Sequence, residues 1–311
     1  MNLSLMLLEQ ILVMTIFILF GFLIVKCHIL KGTDSAVISA LVIYIICPAL
    51  LLDAFQVSFS REKMYGFLLA IIASVLMYLL LLVVTYVIGK MISLNEVERM
   101  SIIYTNCGNL LVPLIGAILG KDYVLYCSAF MTIQNILFWT HGAYWLGGRS
   151  AMNPKKIITN PNIIALALGL ILFCSGLRIP GLLGVAISKT GACVGPISMM
   201  VIGIIIGSAN LRTVFTNWRS YLICFLRLIV IPLLTILMLW VTRIPGLMEQ
   251  GPKILYVSFL GAAAPTAANV TQLANLYDND TVLAGSINIL SVFFCILTMP
   301  LMTIIYQWMF L

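Results

Sequence analysis

Ten apolar stretches, each close to the length that a bilayer demands of a helix, follow one another through the chain with only short polar breaks between them. Crossing a hydrocarbon core takes about 20 apolar residues. The sequence predicts spans at 3–25, 36–52, 64–89, 100–119 and 123–146, then at 161–177, 189–209, 218–241, 254–276 and 282–306. Of the 311 residues 62% are apolar and 9% are charged, and the mean hydropathy is +1.14. That is too little charge to cover the surface of a soluble domain. The fold class expected is therefore an all-α membrane protein with ten transmembrane helices, whose first span is retained because it lacks a basic leader and an A-x-A cleavage site.

A formal net charge of +7 is compatible with a nucleic-acid partner, but the 17 Lys and Arg stand singly or in pairs between apolar runs. This is the pattern of topology determinants, so the lipid bilayer is the expected partner and nucleic acid is not. The eight cysteines form neither a CxxC nor a Cys/His cluster and read as buried thiols rather than as disulfides or metal ligands.

A polar connection at 148–160, with Arg149, Lys155 and Lys156, divides the chain into halves at 1–147 and 161–311. Pro48 recurs as Pro196 after 148 residues, Pro113 as Pro265 after 152, and the Asn-Ile-Leu of Asn135 as that of Asn288 after 153. Near-constant offsets indicate duplication. Because each half holds an odd number of spans, the two copies enter the membrane from opposite sides, and an inverted repeat follows.

In such folds the site lies near the midplane, where one broken helix per half meets its counterpart. The fourth and ninth spans fit, with Asn106, Asn109 and Pro113 in one and Pro265, Thr266, Asn269 and Gln272 in the other. Proline removes an amide donor and clashes with the preceding turn. Unwound backbone at that depth is tolerated where it lines a wet cavity or is buried in protein. Half-helix N-termini would then turn positive ends toward an anion, and the side-chain amides would add donors and acceptors. Kinked helices joined by Asn and Gln bonds are the plainer alternative.

These segments resemble the auxin efflux carrier family, which includes bacterial malate and malonate permeases and the plant PIN-formed carriers. The resemblance rests on Asn106 seven residues before Pro113, on the run from Ala264-Pro265 through Leu273-Ala274 to Tyr277, on Leu297 to Leu301 around Pro300, on Asn160-Pro161, and on Pro48 to Leu51. It implies two inverted five-helix repeats, helices 4 and 9 crossing at their prolines, and an elevator arrangement like that of bile acid/sodium symporters, with a scaffold part that often dimerises. It also implies a polar face in the fifth span, bringing Gln134 and Asn135 to the crossover. Leu111 stands where the family usually has glycine, and Thr266 where many bacterial members carry a second proline.

His141, about two turns beyond Gln134, reads as an interfacial histidine bonded to a neighbour. Arg227, inside the eighth span, would bond exposed carbonyls, snorkel or attract an anion. No phosphate-binding loop, metalloprotease motif or nucleophile elbow is present, so neither an enzyme nor a cofactor is expected. The expected function is a secondary carrier of a small organic anion such as malate, malonate or an auxin-like carboxylate, in the cell membrane, with an anion channel or membrane-embedded sensor as the alternative. Carboxylates are scarce in the spans, so transport is expected to run on the anion gradient and membrane potential. Coupling to H+ or Na+ would need carbonyls, amide oxygens, Glu9, Asp53 or His141. With both termini outside and the central connection cytoplasmic, inside connections hold nine Lys and Arg and outside ones seven.

Overall fold

The computed structural model describes residues 3–148, 155, 158–209 and 211–311. Ten helical stretches replace the ten predicted spans. They are α1 (Leu3–Lys26), α2 (Gly32–Ala54), α3 (Arg61–Met91), the half-helices α4a (Glu96–Ile103) and α4b (Val112–Ile118), and α5, which runs as Lys121–Leu137 and, past a π-turn, Ala143–Gly147. After the central connection come α6 (Pro161–Ser175), α7 (Gly181–Ser208), α8 (Trp218–Thr242), the half-helices α9a (Gly251–Ala263) and α9b (Ala268–Leu276), and α10 (Thr281–Phe310). Among the described residues, α2, α3, α7, α8 and α10 are each long and apolar enough to cross a membrane. A short helix, Leu211–Thr216, precedes α8 and was not expected from the hydropathy.

Three prolines explain three irregular turns. Pro48, Pro113 and Pro232 each sit in the second position after a π-helical turn, at Val42–Ile46, Cys107–Leu111 and Leu226–Val230. A proline lacks its N–H and its ring crowds the carbonyl one turn back. Widening that turn by one residue relieves the crowding, and such π-turns gather at functional sites. Pro113 is thus corrected: it does not mark the break in the fourth span. The break lies at Tyr104, Thr105 and Asn106, whereas in the ninth span Pro265 stands in the break itself. A second correction concerns α7, which begins at Gly181, just after Pro180, rather than at 189; it places Lys189 within the segment Gly181–Ala192, which a turn at Cys193 joins to Val194–Ser208.

The chain divides into two compact units. The first comprises Met1–Tyr65, Gly108–Ser128 and Lys155–Ala209. Inside it α1 crosses α7 at glycines: a methyl added at Gly203 would strike the carbonyl oxygen of Ile18, and one at Gly21 that of Met200. Small residues let two backbones approach where lipid provides no hydrophobic drive between helices. Gly191 lies against the Leu50 backbone in the same way, and Gly169 receives the ring of Phe55, which with Phe59 packs on Phe173.

The second unit comprises Gly66–Cys107, Ala129–Pro154 and Asn210–Leu311. Its core is aromatic at one end, where Tyr256, Phe259 and Tyr306 stack. At another point a capping box fixes the start of α4a: the side chain of Asn95 accepts from the Glu98 amide at 2.9 Å, and the Glu98 carboxylate accepts from the Asn95 amide at 2.9 Å. The buried Glu98 carboxylate also holds Arg219 at the start of α8 in a two-pronged ion pair. Five of the eight cysteines are buried and Cys27, Cys174 and Cys193 are exposed, none in a disulfide. Most of the central connection, with Arg149, Ser150 and Lys156, lies outside the described residues.

Candidate functional site

Both broken helices open into extended backbone, and within the second unit the two extended segments pair. Thr105 and Thr266 form a single antiparallel bridge. The Asn106 amide donates to the Pro265 carbonyl at 2.8 Å, and the Ala267 amide donates to the Tyr104 carbonyl at 3.0 Å. Buried backbone must find partners, and here each break supplies the other's.

The remaining backbone groups at the bridge are held by side chains. Gln134 on α5 embraces Thr105, accepting from its amide at 3.0 Å and its hydroxyl at 2.9 Å, and donating to its carbonyl at 2.8 Å. The hydroxyl of Tyr78 on α3 donates to the same Gln134 oxygen at 2.5 Å. Opposite, Asn288 on α10 donates to the Thr266 carbonyl at 2.9 Å, and the Ser291 hydroxyl oxygen accepts from the Thr266 amide at 3.1 Å. The Thr266 hydroxyl donates to the Ser101 carbonyl at 3.0 Å. Gln134 and Thr266 therefore carry the frame of the crossover, with their polar atoms already engaged.

Arg227 lies behind the bridge and is completely buried. Its guanidinium donates to the carbonyls of Ala262 at 2.7 Å, Ala264 at 3.0 and 3.1 Å, and Ile102 at 3.2 Å. Those carbonyls end α9a and α4a, where helices leave acceptors without intrahelical donors and carry negative partial charge. Of the roles open to Arg227 in the sequence, the structure selects the bonding of exposed carbonyls. Asn288, Ser291 and Tyr78 were not singled out from the sequence. Their only signal is a polar group in an apolar span, and for Asn288 its place in the repeated Asn-Ile-Leu.

Asn106 stands in the break and is 5% exposed, yet its Nδ2 meets no hydrogen-bond partner among the described residues. A buried amide left open is costly. Asn269 lies in the first turn of α9b and is half-buried, as is Asn135 on α5. The side chains of Asn109, Pro113 and Gln272 lie outside the described part of the structure, and the backbone of Asn109 and Pro113 belongs to the first unit. His141, in the π-turn Phe138–Gly142, bonds the Tyr104 hydroxyl at 3.0 Å and stacks near Trp145, over which Arg99 lies.

A crossover of two broken helices in an apolar, duplicated chain is what a membrane carrier needs, and the comparison with known families agrees. The profile of the family described as membrane transport protein, the auxin efflux carrier family, matches residues 6–156 and again residues 150–303. The chain belongs to this family. It is a multi-pass membrane transporter and not an enzyme. The two successive matches also support two repeats of about half the chain each. No curated protein matches the chain.

Proposed function

We propose that the protein is a secondary carrier of small organic anions, malate, malonate or a related carboxylate, which bind at the crossover of α4 and α9 and cross the cell membrane by alternating access. The observation that carries this reading is the open Nδ2 of Asn106 inside the break. A carboxylate oxygen is a fitting acceptor for it, and a hydrogen bond to a charged group is stronger than one to water's neutral oxygen. Asn269 adds an amide from the first turn of α9b, a helix of nine residues whose leading N–H groups have no intrahelical acceptor. Asn135 and Gln272, from the same unit, belong to the proposed lining, with Pro265 shaping the backbone.

Motion follows from the same frame. The bridge, the clasp of Gln134 and the bonds of Arg227 tie α4a, α5, α8, α9a and α10 into one unit. In an elevator mechanism that unit, drawn from both repeats, would travel as one body with its anion.

Uptake of a labelled carboxylate into sealed proteoliposomes tests the proposal. A carrier saturates and shows counterflow, a channel conducts without counterflow, and a sensor binds without flux. Unsaturable flux, or binding without flux, would replace the carrier with one of the other two.

A further inference from the structure

The charge of Arg227 has no carboxylate to answer it: the ion pairs among the described residues join Lys63 to Asp122 and Arg219 to Glu98. A lone buried cation is expensive. What compensates here is a cage of backbone oxygens from Ile102, Ala262 and Ala264, all within 3.2 Å of guanidinium nitrogens. Each helix C-terminus amounts to about half a negative charge, so the two that meet here offset roughly one positive charge. In carriers with broken helices, carbonyls at such half-helix ends are the groups that coordinate a coupling Na+.

We propose that Arg227 is a built-in counter-cation, seated in the carbonyl cage that ends α4a and α9a in the place a transported metal cation would take, so that the crossover accepts its anion without one. The proposal rests on the carrier reading above and names how that site is charged. Three features support it. The guanidinium donates to carbonyls of three residues and is tethered to α8 by its own side chain, so it cannot leave as Na+ would. It arises from the π-turn Leu226–Val230, which Pro232 imposes, so its seat is built into α8. And the cage offers a cation oxygens alone, the donor type that a hard metal ion prefers.

Removing the side chain should expose the cage to a diffusible cation. Purified parent, Arg227→Ala and Arg227→Lys would be compared in sodium and in choline salts, first by melting temperature without carboxylate and then by binding of labelled malonate. The parent should behave alike in both salts. Arg227→Ala should bind malonate at least about tenfold more weakly in choline, the loss of a hydrogen-bonded charge. Na+ should saturably recover that binding and raise the variant's melting temperature, but not the parent's. Arg227→Lys, which keeps the charge, should stay independent of Na+. A parent that needs Na+, an Arg227→Ala that ignores it in both measurements, or a Na+-dependent Arg227→Lys would each overturn the assignment. If Arg227→Ala does not fold in either salt, the Lys variant and the parent decide. Should the parent bind no carboxylate at all, the anion-carrier reading fails, and the melting-temperature arm still tests the cage.

Discussion

Asn106 and Gln134 are both amides at the crossover, yet their surroundings assign them different work. Gln134 makes four hydrogen bonds and Asn106 leaves its Nδ2 open. Replacing Gln134 with Ala would strand the Thr105 amide and carbonyl in a buried site, at a cost of about 2 to 4 kcal/mol, and should lower the melting temperature clearly. Replacing Asn106 with Ala removes no existing side-chain bond from Nδ2, so the melting temperature should barely move. Carboxylate binding should instead weaken by about 1.5 to 3 kcal/mol, roughly tenfold to a hundredfold. Thermal melts and binding isotherms on the two variants give the ranking. If Asn106→Ala loses stability and keeps its affinity, Asn106 only joins helices and the site is elsewhere. Sequence reasoning placed both residues at the crossover but could not separate them, because only the partner atoms distinguish a clasp from an open donor.

At the scale of elements, the prolines make a sharper test than helix propensity would suggest. Alanine is a far better helix former than proline, so Pro232→Ala looks stabilising on local grounds. The restored amide would let the π-turn Leu226–Val230 close to an ordinary helical turn, however, and Arg227 would rotate away from its three carbonyl-bearing residues. The variant is expected to melt lower than the parent, by about 1 to 3 kcal/mol in stability, the range for bonds to a charged group. A higher melting temperature would show that the π-turn does not seat Arg227. In the first unit the comparable test is Gly203→Val, whose side chain cannot fit against the Ile18 carbonyl. Overpacking of this kind costs about 1 to 3 kcal/mol or more, and should appear as reduced yield of folded protein, whereas Gly246→Ala, where nothing lies nearby, should not change it.

These elements also show how far the sequence could be read. Hydropathy marks the five helices that are long and apolar enough to cross, α2, α3, α7, α8 and α10, because length and apolarity decide whether a segment can cross. Apolarity does not mark the start of α4a, although the capping box of Asn95 and Glu98 spells it out, because the box is polar. Analogy with Pro265 sets the break of the fourth span at Pro113. A proline near the start of a helical segment is accommodated by a π-turn, and the unwinding moved to Tyr104, Thr105 and Asn106, where a partner strand waits. The seat of Arg227 is not legible in the sequence, since the carbonyls that hold it come from residues 35 to 125 positions away.

At the scale of the whole molecule, the open question is which way the duplicated chain is threaded, and charge gives the direction. In the expected threading the inside connections hold nine Lys and Arg and the outside ones seven, a weak positive-inside bias. On that bias we propose that both termini lie outside and the central connection in the cytoplasm. Two exposed native thiols report on this directly. Cys174 is near the end of α6, which leaves the membrane on the outside in this topology, while Cys27 follows α1 on the cytoplasmic side. In variants keeping one cysteine each, a membrane-impermeant maleimide added to intact cells should label Cys174 and spare Cys27 until the cells are permeabilised. A cysteine at Ser150, in the central connection, should behave like Cys27. In the proposed ten-span threading, reversing one of these results reverses them all, and labelling of Cys27 and Ser150→Cys from outside, with Cys174 protected, would invert the whole assignment. A mixed pattern, with Cys174 and Ser150→Cys on the same side, would mean that α6 does not cross, and the ten-span threading itself would have to be abandoned.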